Sequence, residues 1–445
     1  MRRSFSPPVE SFFLLFLLLP LSGGIADDWP QWRGANRDGK WSETGLIEKF
    51  ESPKIARKWT VPIGSGYSGP TVAAGRVLVM DRLTEPEQVE QVWCFDEQTG
   101  KRLWKHRYEC EYRNVGYVAG PRASVTLDGD RAYSIGTMGH LKCLSLEKGT
   151  VLWQHDCDSE YRISADKRMP IWGIAASPLI YKNLVIVHLG AVNASVVAFD
   201  KTSGKEVWRS LDDRAQYSSP ILIRQGAQDV CVIWTGDHVV GLNPTSGKPY
   251  WQVPMKPRNM PIGIATPLLQ GNLLFVTSFY DGAMMLDLKT EPAPGASVFW
   301  RKVGRDEQRT AALHSIISTP VFSGKYLYGV DSYGEFRCIQ ASDGERIWED
   351  QTAVPRARWS TIHFVENGDR NWMFNERGEL IIGKLSPGGF EEISRAQLLE
   401  PTLQQLRRRK GVCWSHPAYA NRCVFARNDR ELVCADLSAK KESSQ

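Results

Sequence analysis

The sequence predicts an all-β fold: an eight-bladed β-propeller of four-stranded antiparallel blades, closed by an N-terminal strand. Three observations lead there. A strand–turn–strand unit ending in Trp recurs at Val92 to Trp104 (VWCFDEQTGKRLW), Leu141 to Trp153, Val196 to Trp208, Val239 to Trp251 and Phe336 to Trp348, with a longer-turned copy from Met284 to Trp300. A step of small residues precedes a further pair of apolar strands at eight places, from YSGP at 67–70 to WSHP at 414–417. Finally, the last repeat lacks a strand that the beginning of the chain can supply.

Two apolar runs joined by a short Gly-containing turn read as a hairpin. Each Trp-ending unit is therefore the outer hairpin of a blade, with its Trp as a packing anchor. The small-residue steps (YSGP, PRAS, AASP, YSSP, IATP, ISTP, WSTI, WSHP) lead into the inner pair of strands. Four strands repeating every ~40–50 residues is the pattern of propeller blades. Period-two alternation and frequent Gly and Pro exclude helical repeats.

Taken in order, the chain opens with Arg2 and Arg3, the apolar run Phe12 to Leu21, and Gly24-Ile25-Ala26. This has the layout of a secretory signal over residues 1–26, with an apolar run far short of the ~20 residues that span a bilayer. The mature chain is expected to be exported, periplasmic or secreted, without a transmembrane domain. No Cys directly follows the apolar run, which argues against a lipid anchor. Residues 27–58, including DWPQWRGANRDG, hold no repeat unit and are expected to cap one end of the fold. Residues 59–445 form the propeller. Blade seven is degenerate, since Phe390 to Leu399 carries no Trp. Blade eight has strands near Arg422 to Arg427 and Glu431 to Leu437 before a polar tail, so the strand at Lys58-Trp59-Thr60 is expected to complete it and close a monomeric ring.

A net charge of +5 without a basic stripe gives no case for nucleic acid. The short run Arg407 to Lys410 reads either as a solvated loop or as a contact for an acidic partner or membrane surface. Nine cysteines in an exported chain suggest disulfides. Yet Cys94, Cys143, Cys338 and Cys434 share a blade position with Ala198 and Gly241, which marks a small buried packing site. Cys110, Cys157, Cys231, Cys413 and Cys423 remain, with room for at most two bridges of open pairing.

The repeat resembles the PQQ-like, or quinoprotein, β-propeller repeat over residues ~59–437. The segments DWPQWRGANRDG and CWSHPAYANRCVFARNDRELVCADL resemble a bacterial group of exported members. More distant relatives by this resemblance are the quinoprotein alcohol dehydrogenases and the BamB-like propeller lipoprotein of outer-membrane assembly. The dehydrogenases imply PQQ gripped between a Trp and a disulfide of adjacent cysteines, with Ca²⁺ held by carboxylate and amide oxygens. This chain has no Cys-Cys dipeptide and no EF-hand-like loop. Asp156, Asp158 and Glu160 cluster but lack the Gly turn of a calcium loop. No C-x-x-C, H-E-x-x-H, G-x-x-x-x-G-K-[ST] or G-x-S-x-G occurs either. No metal ligand and no catalytic residue is assigned.

The innermost strands line a propeller's channel, so the steps should ring its mouth. One ring position holds Tyr67, Pro121, Ala175, Tyr217, Ile264, Ile317, Trp359 and Trp414; the next two are mostly Ser, Thr and small residues, with Arg122 and His416 as exceptions. Trp172 and His314 lie just before their steps. The candidate ligand-binding residues are thus Arg122, Trp172, Tyr217, His314, Trp359, Trp414 and His416. Arg122 is placed to pair with a carboxylate, and Trp359 with Trp414 to stack. The alternative is that the aromatics plug the channel and the hydroxyls merely suit eight converging strands. Two functions remain: a non-catalytic exported binding or scaffold propeller with a protein or small-molecule partner, or a PQQ-dependent dehydrogenase of alcohols or sugars with a divergent site.

Overall fold

The structure, a computed structural model, describes residues 27–440; the expected signal segment lies outside the described residues. Eight four-stranded antiparallel sheets follow one another around the chain. The first blade comprises Thr71–Ala73, Arg76–Leu83, Val89–Asp96 and Arg102–Glu109, running from the channel outward. The helical content of the described residues is a single turn, Cys157–Glu160.

The eighth blade contains Ala418–Ala420, Cys423–Arg427 and Glu431–Asp436, and its outer strand is Trp59–Pro62 from the other end of the chain. The pairing is antiparallel, with Trp59 opposite Cys434 and Pro62 opposite Glu431. Arg427 reinforces the closure: its buried guanidinium donates to Met80 O (2.8 Å) and Gly64 O (2.6 Å). Blade seven keeps its fourth strand, Gly389–Gln397, without a Trp.

The register explains the Cys/Ala/Gly position. Cys94, Cys143, Ala198, Gly241, Cys338 and Cys434 each lie directly across from their blade's Trp: Trp104, Trp153, Trp208, Trp251, Trp348 and Trp59. An indole covers that position, which favours a small side chain; the exception is Met285, across from Trp300 in the fifth blade. All nine cysteines are free and buried, which corrects the expectation that some would form bridges.

Six of these seven Trp side chains also hydrogen-bond a backbone carbonyl of the next blade, whereas Trp251 Nε1 donates to Gln225 Oε1 of its own blade (3.0 Å). Trp59 Nε1 donates to Glu97 O (2.8 Å), Trp104 to Leu146 O (2.9 Å), Trp153 to Lys201 O (3.0 Å) and Trp300 to Ala341 O (2.8 Å). In these four the indole lies over a turn glycine of that next blade, Gly100, Gly149, Gly204 and Gly344. The core is accordingly a series of layers between blades, such as Leu78, Met80, Cys94 and Trp104 packed with Val125, Leu127, Ala132 and Leu144. Gly204, at φ +74°, shows how tight the docking is: a Cβ there would sit 2.8 Å from Trp153 Cδ2. Gly204→Ala is expected to cost about 2–4 kcal/mol, from left-handed backbone strain plus overpacking. A thermal melt checks this, and an unchanged midpoint would refute the docking role.

The N-terminal segment is more than a cap. Trp29 exchanges backbone hydrogen bonds with Val72 in blade one, and Pro30 O accepts from Leu127 N in blade two. Arg37 donates to Ser177 O (3.3 Å), Pro178 O and Pro220 O (2.9 Å) at the steps of blades three and four. Trp32 Nε1 donates to Thr266 Oγ1 of blade five (2.8 Å), and its ring meets His416 of blade eight edge-on at 5.2 Å. One short segment thus touches six blades, which places it across the channel as a plug. Arg37 is buried away from any carboxylate, and this desolvation lowers its pKa to about 9; backbone carbonyls and, at Nε, Gln31 Oε1 (2.8 Å) accept from it instead.

Candidate binding site in the central channel

The hydroxyls of the steps are used between blades. Ser124 N donates to Ser177 Oγ (2.9 Å), Ser177 N to Ser219 Oγ (3.0 Å), Thr266 N to Thr319 Oγ1 (3.0 Å) and Ile362 N to Ser318 Oγ (2.9 Å). This ladder satisfies backbone amides where eight strands converge too closely to pair as a sheet. The convergence also explains Gly69, where a side chain would run into the His416 carbonyl.

Beside the plug lies a cavity of about 130 Å³. Seven of the eight residues in the first ring position line it: Tyr67, Ala175, Tyr217, Ile264, Ile317, Trp359 and Trp414, with Pro121 the exception. Arg122, Trp172 and His416 line it too. His314 does not, and this corrects its place among the candidates. It is buried behind the wall, with Nδ1 against Phe279 O (3.0 Å) and Nε2 accepting from Gly304 N (3.0 Å). Ser177 and Ser219 of the steps line it as well, and Trp32, Tyr117, Ile316 and His363, which were not singled out from sequence, complete the lining. Trp32 belongs to the plug, and Tyr117 to the loop before step PRAS, so neither occupies a repeat position.

The aromatic rings form a connected wall. Trp172 stacks on Tyr217 (5.0 Å, 29°), and Tyr117 stands edge-on to Trp172 at 5.3 Å. Trp359 and Trp414 meet edge to face (6.5 Å, 61°) instead of stacking in parallel. Trp359 has two further distinctions. Its backbone is at φ +70°, a strained region for a bulky side chain. Its indole Nε1 is buried with no hydrogen-bond partner. The Arg358 guanidinium lies 4.6 Å from its ring centroid and is held by Glu307 through Nε (2.9 Å) and Nη2 (2.7 Å).

Arg122 does not stand free to meet a carboxylate. Its Nη1 donates to Gly120 O (2.5 Å) and Thr137 Oγ1 (3.0 Å), and its Nη2 to Gly116 O (2.8 Å) and Tyr117 O (2.6 Å). It therefore fixes the 116–122 loop against the wall. The histidines are committed through one ring nitrogen each. His363 Nε2 lies 2.8 Å from Trp414 O, and burial lowers its pKa to about 4. Burial, with His363 and Arg33 nearby, puts His416 well below the ordinary imidazole range; its Nδ1 bonds Pro417 O, while its buried Nε2 has no hydrogen-bond partner. Both rings are neutral at physiological pH.

No carboxylate is among the residues lining the cavity. A Ca²⁺ ion held by carboxylate oxygens, and a quinone clamped on a disulfide of adjacent cysteines, do not fit this lining. Glu376 approaches from behind, where it is buried in an ion pair with Arg409 Nη1 (2.7 Å) and lies 3.4 Å from Trp414 Nε1. One cation of the 407–410 run is thus structural. The Asp156–Glu160 loop is also used locally: Asp156 caps the helical turn, Asp158 accepts from Ser164 and Glu160 pairs with His155.

Fold and channel together define the chain as a PQQ-like β-propeller protein whose channel ends in a plugged, aromatic-lined cavity. The sequence model of the family described as outer membrane protein assembly factor BamB matches residues 88–350, and the chain belongs to that family. It is similar to the outer membrane protein assembly factor BamB of Shewanella oneidensis, at 22% identity over 341 residues, covering 71% of this chain and 75% of that protein. Among solved structures, BamB from Moraxella catarrhalis aligns over 87% of this chain and 99% of that one, with a TM-score of 0.58 and 16% identity. A europium-containing methanol dehydrogenase aligns over 92% and 89%, with a TM-score of 0.63 and 12% identity. At these identities the two structures show the shared fold.

Proposed function

We propose that the protein is a non-catalytic binding propeller, acting after export, whose central cavity takes a flat, largely apolar group of a ligand or partner. The observation that carries this reading is the cavity's chemistry. Six aromatic side chains from the steps and neighbouring loops converge there, while its one lining arginine and His363 are spent on the protein's own groups and His416 keeps one free ring nitrogen. Such a wall binds by stacking and burial, worth about 0.5–1.5 kcal/mol per aromatic pair beyond area. The unpartnered Trp359 Nε1–H adds a direction: an acceptor on the ligand would satisfy a buried donor that otherwise costs about 1–3 kcal/mol. The assembly-factor name of its relatives supports a binding role over turnover. A dehydrogenase reading draws on the methanol dehydrogenase likeness, but it lacks a carboxylate in the cavity to hold calcium.

Titration with a flat aromatic fluorophore is expected to saturate at one site and quench tryptophan emission. Trp359→Ala should weaken that binding about tenfold, equivalent to roughly 1.4 kcal/mol. Addition of PQQ and Ca²⁺ with alcohols or sugars is expected to reduce no dye. Saturable PQQ binding with turnover would replace the binding reading by the dehydrogenase one.

A further inference from the structure

The seam between blades one and two brings together three side chains of metal-ligand type that are far apart in sequence. Glu90 lies on the strand Val89–Asp96, Cys110 directly follows Arg102–Glu109, and His140 opens His140–Ser145. One ligand atom from each lies within 4.8 Å of the others. Cys110 Sγ and His140 Nδ1 are 3.7 Å apart. In a tetrahedral zinc site, bonds of about 2.3 Å to sulfur and 2.0–2.1 Å to nitrogen put those two atoms about 3.5 Å apart. The pair is thus nearly at ligand spacing already.

The surroundings are built as well. Glu90 is fully buried, and its carboxylate accepts from Tyr108 OH (2.7 Å), Tyr112 OH (2.5 Å) and Thr137 N (3.0 Å). Hydrogen bonds of this kind orient a ligating carboxylate. Gly136 leaves the space: any side chain there would collide with Glu90 Oε2 and Tyr108 OH. The nearby cations are engaged elsewhere. Lys142 Nζ donates to Gln154 Oε1 (2.6 Å), and Arg82 bonds Val118 O and Gln88 Oε1, both at 2.6 Å. Cys110 and His140 open onto a separate cleft of about 680 Å³, which Glu85, Glu87, Glu109, Glu111, Asp156 and Asp158 also line. An acidic cleft concentrates cations at its floor.

We propose that Glu90, Cys110 and His140 form a binding site for a single thiophilic divalent cation of the zinc type, with its fourth position facing the acidic cleft. On binding, the Cys110 thiol gives its proton to water and forms the S–metal bond, while neutral His140 binds through Nδ1 and Glu90 through one oxygen. Three protein ligands and an open position distinguish this from a closed structural site. The proposal is independent of the channel.

The test uses the full chain, stripped with chelator and titrated with Zn²⁺ against a chromophoric competitor, and separately with Co²⁺. One Zn²⁺ per chain is expected, with a thiolate-to-cobalt charge-transfer band in the near ultraviolet. Cys110→Ser should abolish the band, and Cys110→Ser and His140→Ala should each weaken Zn²⁺ binding at least about tenfold. Thermal melts of the metal-free variants establish that the fold is retained; if Cys110→Ser fails to fold, the wild-type cobalt band and His140→Ala decide. Absence of stoichiometric binding, or binding that both substitutions leave unchanged because the cleft carboxylates alone hold the ion, would overturn the assignment.

Discussion

A chain lacking residues 27–62 is expected to lose cooperative folding of the whole ring, not merely of one end. The deletion removes Trp29, Trp41 and Trp59, all buried, and the outer strand of the eighth blade. Removing a buried Trp side chain costs about 3–5 kcal/mol, so three amount to roughly 10 kcal/mol. That is comparable with the total stability of a typical domain, about 5–15 kcal/mol. The deletion also exposes the edge of Glu431–Asp436, whose central residues are fully buried, and an unpaired strand edge invites aggregation. Calorimetry of the truncated and full chains provides the check, with Trp59→Ala as a milder variant expected to lose about 3–5 kcal/mol. A truncated chain that melts as sharply and as high as the full one would show that the ring closes without its N-terminal strand.

The second large effect is acid lability. His188 is buried with neither ring nitrogen hydrogen-bonded, and burial lowers its pKa to about 4; His363 is lowered to about 4 for the same reason. In the unfolded chain both titrate near 6.5. Between pH ~4 and ~6.5 the unfolded state therefore binds more protons, and stability rises with pH across that window. The contribution is fully present above pH ~6.5, is about 2 kcal/mol smaller per histidine at pH ~5, and is lost below pH ~4. His416 acts in the same direction. Asp81, Glu366 and Glu376 act oppositely, because burial raises their pKa values. Urea unfolding at pH ~7 and ~5 should show a net loss at the lower pH. His188→Leu should reduce that loss by about 2 kcal/mol, since the variant has no imidazole to protonate. Equal pH dependence in both chains would remove His188 from the account.

Much of this architecture can be read from the chain because a propeller is repetitive. Aligned copies reveal that Cys94, Ala198 and Gly241 are one position that favours a small side chain; the register supplies the reason, an indole directly opposite. The same alignment places Tyr67, Tyr217, Trp359 and Trp414 on the channel wall, because strand periodicity and the step fix which way each residue faces. The missing strand of blade eight and the orphan Trp59 are likewise a matter of counting. Arg122 and His314 show where such reading stops. Both lie at or beside a step, yet one is consumed by loop carbonyls and the other turns behind the wall. Their hydrogen-bond partners belong to particular loops and not to the repeat.

The sequence alone therefore determined the eight blades, their closure and the aromatic ring, all of which follow from local alternation and from the equivalence of copies. The tertiary structure decided that residues 29–37 thread the channel and give it a floor, and that Arg37 finds its partners on the steps of blades three and four. It also brought Glu90, Cys110 and His140 to one seam, although no spacing motif joins them. These are contacts between unlike parts of the chain, and they form only when closure of the ring sets the distance from one blade to the next.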